Sequence, residues 1–315
     1  MVFTSLCVLF RIPKSGSRTT VEYFDRLTKD ESNTEICLVK QRSSIRDFQD
    51  PNALDLYGQH PTQFVCEKKQ KKNRKYVVIG HNYYVPPYEN HKDDLDNFNI
   101  LREPVSRCQS RFYYEIERER IPEMKFADCM KNGFCQLPDP SLIKGSASMG
   151  YGQLIDAQKT LLKEQMTNQG ISAPEQRRWQ VIAEECSSNH QTRWMCGMQD
   201  ICYKGTPQQV IEEAKRVAAE QYEVIGTTDR IPESMWVLNT VYENMLGKRR
   251  DWDYYTQEPC AHCPKTFSAP RPPLLKKDEE VLKSLNSLDG QLIEFVHDLL
   301  TMKHVACARS IGQVS

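Results

Sequence analysis

Apolar residues in the first hundred positions fall in short blocks separated by polar turns, not in long helical stripes. Val2–Phe10 is a nearly continuous apolar run, the pattern of a strand covered on both faces of a parallel sheet. It breaks at Pro13, Gly16 and Ser17, after which Val21, Phe24 and Leu27 recur at helical spacing over Thr19–Thr28. Glu35–Lys40, Thr62–Cys66, Tyr76–Ile79 and Phe98–Leu101 read as further short strands, and a helix is expected from about Val105 to Glu119. Strands alternating with helices predict a parallel sheet in an α/β layer architecture.

Downstream the helical period dominates. Gln153–Asn168 and Ala173–Glu185 are amphipathic and joined by Gly170 and Pro174. Then come a turn-rich block, a helix over Pro207–Ala219, a strand over Tyr222–Gly226 and a helix over Pro232–Leu246. Pro259–Pro273 contains five prolines and no periodicity, so it reads as a connecting arm. Residues 277–303 resume helical spacing through Val281, Leu285, Leu288, Leu292, Phe295 and Leu299. There is no internal repeat. The economical expectation is one catalytic-sized domain over 1–315, with 138–190 as a helical insertion and 259–315 as a C-terminal arm and helices.

Composition narrows the class only slightly. The chain has 315 residues, 39% of them hydrophobic and 27% charged, as in ordinary globular proteins. The 42 basic residues balance 42 acidic ones, so no global field attracts a polyanion; nucleic acid is not expected as a partner, and any basic site must be local. The apolar run Val2–Phe10 is too short to span a bilayer and carries no cleavable signal pattern, which predicts a soluble body. Twelve cysteines are more than a cytosolic chain of this length needs. Cys129/Cys135 and Cys196/Cys202 sit in turn-rich segments where a disulfide could staple a loop, although buried free thiols would satisfy the same pattern. Cys260-Ala-His-Cys263 lacks the second ligand pair that a zinc site needs, and no metal is expected.

Candidate chemistry begins at Arg11-Ile-Pro-Lys-Ser-Gly-Ser-Arg-Thr-Thr20, between the first strand and the first helix. Amides of a tight turn and a first helical turn lack backbone acceptors and so can bind an anion. Lys14 adds a mobile charge, and Ser15, Ser17, Thr19 and Thr20 add hydroxyl donors. The segment is not a Walker A loop, because G-x-x-x-x-G-K-[ST] is absent. A second junction, Ile100-Leu-Arg-Glu-Pro-Val-Ser-Arg-Cys-Gln-Ser110, sends Arg102 off a strand end, with Ser110 two turns into the next helix. Ligands of open α/β sheets bind at that carboxyl edge.

These two segments, with Tyr113 three residues beyond Ser110, resemble the nucleotide-binding motifs of the Golgi carbohydrate sulfotransferases, most closely the uronyl 2-O-sulfotransferase branch. The resemblance continues through Gly80-His81-Asn-Tyr-Tyr84, Phe126-Ala-Asp-Cys129, Cys196-Gly-Met-Gln-Asp-Ile-Cys202 and Ala214 to Leu246. It implies a P-loop-like parallel sheet flanked by helices with helical C-terminal decorations. It also implies transfer of a sulfuryl group from 3′-phosphoadenosine-5′-phosphosulfate, without a metal, to a hydroxyl of a glycosaminoglycan. The position implied is the 2-hydroxyl of a uronic acid in heparan or chondroitin/dermatan sulfate.

Carried over residue by residue, Lys14, Ser15, Gly16, Ser17, Arg18 and Thr19 would bind the 5′-phosphosulfate. Arg102 and Ser110 would hold the 3′-phosphate. His81 would be the general base and Lys14 would neutralise the leaving phosphate. The branch has a second histidine two positions before this base, where the present chain has Ile79. For the acceptor, Lys68-Lys69-Gln-Lys71-Lys72-Asn-Arg74-Lys75 puts six basic residues in eight close before His81. Lys71, Lys72, Arg74 and, beside the donor loop, Arg11 are the candidate acceptor contacts. The resemblance further implies disulfides 129–135 and 196–202 and a Golgi lumenal domain whose membrane anchor is absent from this sequence, and it allows a homo-oligomer. Two other readings compete: a P-loop kinase or NTPase, and a catalytically inactive module that binds heparin-like glycans.

Overall fold

The computed structural model describes residues 6–10, 36–40, 75–80, 95–197, 199–246 and 271–310. The strands are β1 (Leu6–Phe10), β2 (Ile36–Lys40), β3 (Lys75–Gly80), β4 (Leu95–Leu101) and β5 (Val224–Thr227). The helices, in chain order, are α1 (Pro104–Glu117), α2 (Phe126–Lys131), α3 (Tyr151–Asn168), α4 (Ala173–Ser187) and α5 (His190–Cys196). They continue with α6 (Asp200–Lys204), α7 (Pro207–Glu220), α8 (Ile231–Leu246), α9 (Lys276–Leu285) and α10 (Ser287–Ser310). The expected strand Thr62–Cys66 and helix Thr19–Thr28 lie outside the described residues. The chain divides into two compact units: Met1–Leu101, Val217–Gln257 and Leu299–Ser315 in the first, Arg102–Arg216 and Glu258–Asp298 in the second.

The first unit is built on a five-stranded sheet in the order β2-β3-β1-β4-β5, with every pairing parallel. The α/β expectation therefore holds. The chain leaves β1 toward β2 on one side and leaves β4 toward β5 on the other, so the adjacent carboxyl ends of β1 and β4 form a topological switch point. Phe98, Ile100, Leu101, Val224 and Ile225 are all buried, as strands covered on both faces require. A Cβ on Gly226 would lie 2.4 Å from Ser234 Cβ, so only glycine lets α8 pack this close to β5. Ser234 Oγ completes the junction by accepting from the Thr227 N–H at 3.1 Å.

The second unit has a helical core of its own, centred on Phe112, Met166, Trp179, Ile182, Met195, Leu282 and Leu292. Phe112 meets Phe126 edge to face at 5.1 Å, and Phe134 stacks on Trp179 at 5.1 Å. Helix α1 starts where the sequence demands it. Pro104 takes the first helical position, and the Glu103 carboxylate accepts from the Val105 and Ser106 N–H groups at 3.1 and 2.6 Å. The helical spacing expected over 277–303 is divided between two helices. At Asn286 the side chain turns inward and donates to the Cys186 and Leu282 carbonyls at 2.5 and 2.9 Å, which breaks the run between α9 and α10.

Candidate anion-binding site

Lys14, Ser15, Gly16, Ser17, Arg18, Thr19, Arg11, His81, Lys71, Lys72 and Arg74 lie outside the described residues, as do Cys260 and Cys263. The strands that lead to them are described. Phe10 and Gly80 are register partners of the parallel pair β1–β3, so Arg11 and His81 each follow the last residue of a neighbouring strand at matched register. On the other side of β1, Leu9 pairs with Phe98 of β4, and β4 runs on to Leu101, the residue before Arg102.

Arg102 and Ser110 are both described, and α1 relates them. At 100° per residue Ser106, Gln109, Ser110 and Tyr113 share one face, while Arg107, Arg111 and Glu115 share the opposite one. The first face meets the proline-rich segment expected to be a connecting arm. Arg271 Nη2 donates to Ser110 Oγ at 3.1 Å, and Gln109 Nε2 makes a long 3.5 Å contact to the Pro272 carbonyl. Arg102 Nε and Nη2 both donate to Ser106 Oγ, at 3.0 and 2.8 Å.

The electrostatics of this face favour a bound anion. Burial and then the neighbouring Arg271 push the Arg102 guanidinium down to about 10, with Glu103 opposing and Arg107 adding a smaller push. Arg271 is also lowered by burial, against the opposing influence of Glu117 and Tyr113. Both guanidiniums stay charged at neutral pH, partly dehydrated and within electrostatic reach of one another. A phosphate or sulfate bound there would relieve both the desolvation and the repulsion that Arg271 exerts on Arg102. Sequence reasoning selected Arg102 and Ser110 but missed Arg271 and Ser106. Nothing local distinguishes Arg271 from any basic residue in a proline-rich arm.

The other face of α1 is locked from behind. The buried Arg107 donates to the Glu185 carbonyl, and its guanidinium lies 3.5 Å from Glu185 Oε2 and 3.8 Å from Asp289 Oδ2. Arg111 sits 3.3 Å from Glu115 and 3.4 Å from Glu185. Between these contacts Cys108 is disulfide-bonded to Cys186 of α4, a pairing that the sequence reading did not foresee. The two expected pairs, Cys129–Cys135 and Cys196–Cys202, are both closed. Among the described residues no helix is long and apolar enough to cross a membrane. No protein-family model matches the sequence, and no curated protein matches it significantly.

Proposed function

We propose that the protein is a carbohydrate O-sulfotransferase with a P-loop-like nucleotide-binding sheet. In this reading it moves a sulfuryl group from 3′-phosphoadenosine-5′-phosphosulfate to a glycosaminoglycan hydroxyl. The acceptor position is the 2-hydroxyl of a uronic acid in heparan or chondroitin/dermatan sulfate. The observation that carries the reading is the placement of Arg102 and Arg271 on one face of α1, where Arg102 donates to Ser106 and Arg271 to Ser110. Two guanidiniums and a hydroxyl suit a terminal phosphate dianion. The 3′-phosphate is the group that separates this donor from ATP, which argues against the kinase reading. Three closed disulfides among the described residues fit an oxidising compartment such as the Golgi lumen.

The chemistry assigned to the segments after β1 and β3 is what the resemblance implies. The loop Lys14–Thr19, which follows β1 in the chain, receives the 5′-phosphosulfate, and His81 is the residue after the last of β3, the strand paired with β1. The neutral imidazole of His81 takes the acceptor hydroxyl proton. The hydroxyl oxygen bonds to sulfur as the bond from sulfur to the bridging phosphate oxygen breaks, and Lys14 neutralises the charge that develops on that oxygen. The transferring group spreads its charge over three oxygens, so positioning and cationic stabilisation supply most of the acceleration. Incubation with labelled donor and desulfated heparosan or chondroitin tests the reading. Label should enter the polysaccharide and, after digestion, a 2-O-sulfated disaccharide. Donor binding with no transfer to any glycosaminoglycan would overturn the proposed activity.

A further inference from the structure

The buried Gln191 of α5 makes two hydrogen bonds to one residue's backbone. Its Oε1 accepts from the Arg102 N–H at 2.8 Å, and its Nε2 donates to the Arg102 carbonyl at 2.6 Å. A primary amide is the side chain that can satisfy both backbone groups at once, as a neighbouring strand would. Both dihedrals of Arg102 are thereby restrained at the residue that carries the guanidinium toward Ser106.

Gln191 is itself held. Its N–H donates to Asp289 Oδ2 at 3.2 Å, and the Thr192 N–H and Oγ1 donate to Asp289 Oδ1 at 2.8 Å each. Asp289 in turn lies 3.8 Å from Arg107, five residues along from Arg102. The contacts close a circuit from Arg102 through Gln191, Asp289 and Arg107 back to α1. Of its members only Arg102 belongs to the proposed 3′-phosphate contact.

We propose that Gln191 is a positioning residue for the Arg102 guanidinium, and that it sets the preference of the site for a nucleotide bearing a 3′-phosphate. The proposal rests on the sulfotransferase reading of this face. Without the amide, Arg102 turns about an unrestrained backbone, and a displacement of about 1 Å is enough to lose a charge-assisted contact. The loss should fall on the 3′-phosphate alone.

Calorimetric titration of the full chain with 3′-phosphoadenosine 5′-phosphate and with adenosine 5′-monophosphate separates the two ideas. The wild type should prefer the bisphosphate; equal affinity for both nucleotides would sink the donor reading and this proposal together. In Gln191→Leu and in Gln191→Met, which keeps an unbranched chain of similar length, the bisphosphate should weaken about tenfold or more while the monophosphate stays within about twofold. A wild type that discriminates, beside variants that discriminate equally well, leaves the donor reading standing and overturns the role of Gln191. Parallel loss for both ligands, or loss of the circular dichroism signal in both variants, would assign Gln191 to the fold alone and also overturn it.

Discussion

Asn189 and Asp289 cap each other's helices. The Asn189 side-chain oxygen accepts from the Leu288 and Asp289 N–H groups at the start of α10, at 2.8 and 3.1 Å. The Asp289 carboxylate accepts from the Gln191 and Thr192 N–H groups at the start of α5. Two helix starts, a hundred residues apart in the chain, thus satisfy their orphan donors reciprocally inside the second unit. Asn189 holds a left-handed backbone at φ 47°, which asparagine tolerates better than most residues.

Asn189→Gly keeps that backbone available and removes only the side-chain cap, together with its 2.7 Å bond to the Tyr151 hydroxyl. The substitution should cost about 2 kcal/mol, read as a lower urea midpoint at unchanged slope. A midpoint equal to that of wild type would show that the reciprocal caps contribute nothing.

Acid should destabilise this region through His190. The ring is buried, and among the described residues neither nitrogen has a hydrogen-bond partner. Burial, followed by the charges of Arg107, Arg193, Arg111 and Lys159, holds it well below the usual histidine value. A histidine that is harder to protonate when folded stabilises the fold fully above the unfolded value near 6.5. That contribution is lost as pH falls from there toward the folded value, by up to about 1.4 kcal/mol per pH unit. Melting temperatures measured from pH 8 to pH 5 should fall below about pH 6.5, and the fall should flatten in His190→Leu. Identical pH profiles for the two proteins would remove His190 as the cause.

If the proposed donor site is right, Arg271→Ala should weaken 3′-phosphoadenosine 5′-phosphate by about ten- to a hundredfold, because it removes one of the two charged donors proposed for the 3′-phosphate. Arg102→Lys should behave similarly, since an ammonium cannot reproduce the fork that bonds Ser106. Affinity within twofold of wild type for Arg271→Ala would exclude the arm from the site.

Lys14→Ala and His81→Ala are expected to lower kcat by about 10²–10⁴-fold while leaving the melting temperature in place. Either variant turning over at near-normal rate would cancel the role assigned to that residue.

Peptide mapping under non-reducing conditions should recover Cys108 linked to Cys186. The Cys108→Ala/Cys186→Ala variant should lose about 3–5 kcal/mol of stability, because the bond closes a long loop and pins α1 to α4. Recovery of both cysteines as alkylated free thiols from an oxidising preparation would contradict the structure here.

What could be read from the sequence tracks the range of the signal. Tyr76–Ile79 falls within β3 at Lys75–Gly80 and Phe98–Leu101 is the second half of β4, because a strand inside a parallel sheet is written as a run of apolar residues in the chain itself. The start of α1 was legible in Pro104, and the short cysteine pairs in their spacing of six. The break at Asn286 was not, since an asparagine within a periodic stripe becomes a helix end only when Cys186, a hundred residues away, offers it a carbonyl.

The candidate site divides in the same way. By itself the sequence determined that basic segments follow β1 and β4, that His81 follows β3, and that Ser110 lies two turns into the helix after Arg102, because all of these follow from local periodicity and strand-to-helix order. Only the tertiary structure decided that Arg271 is the partner of Ser110, that Gln191 holds the Arg102 backbone, and that Cys108 is tied to Cys186. These partners are separated by 161, 89 and 78 residues respectively. A hydrogen bond or disulfide over such a distance is made by tertiary packing, and it leaves no periodic trace in the residues that form it.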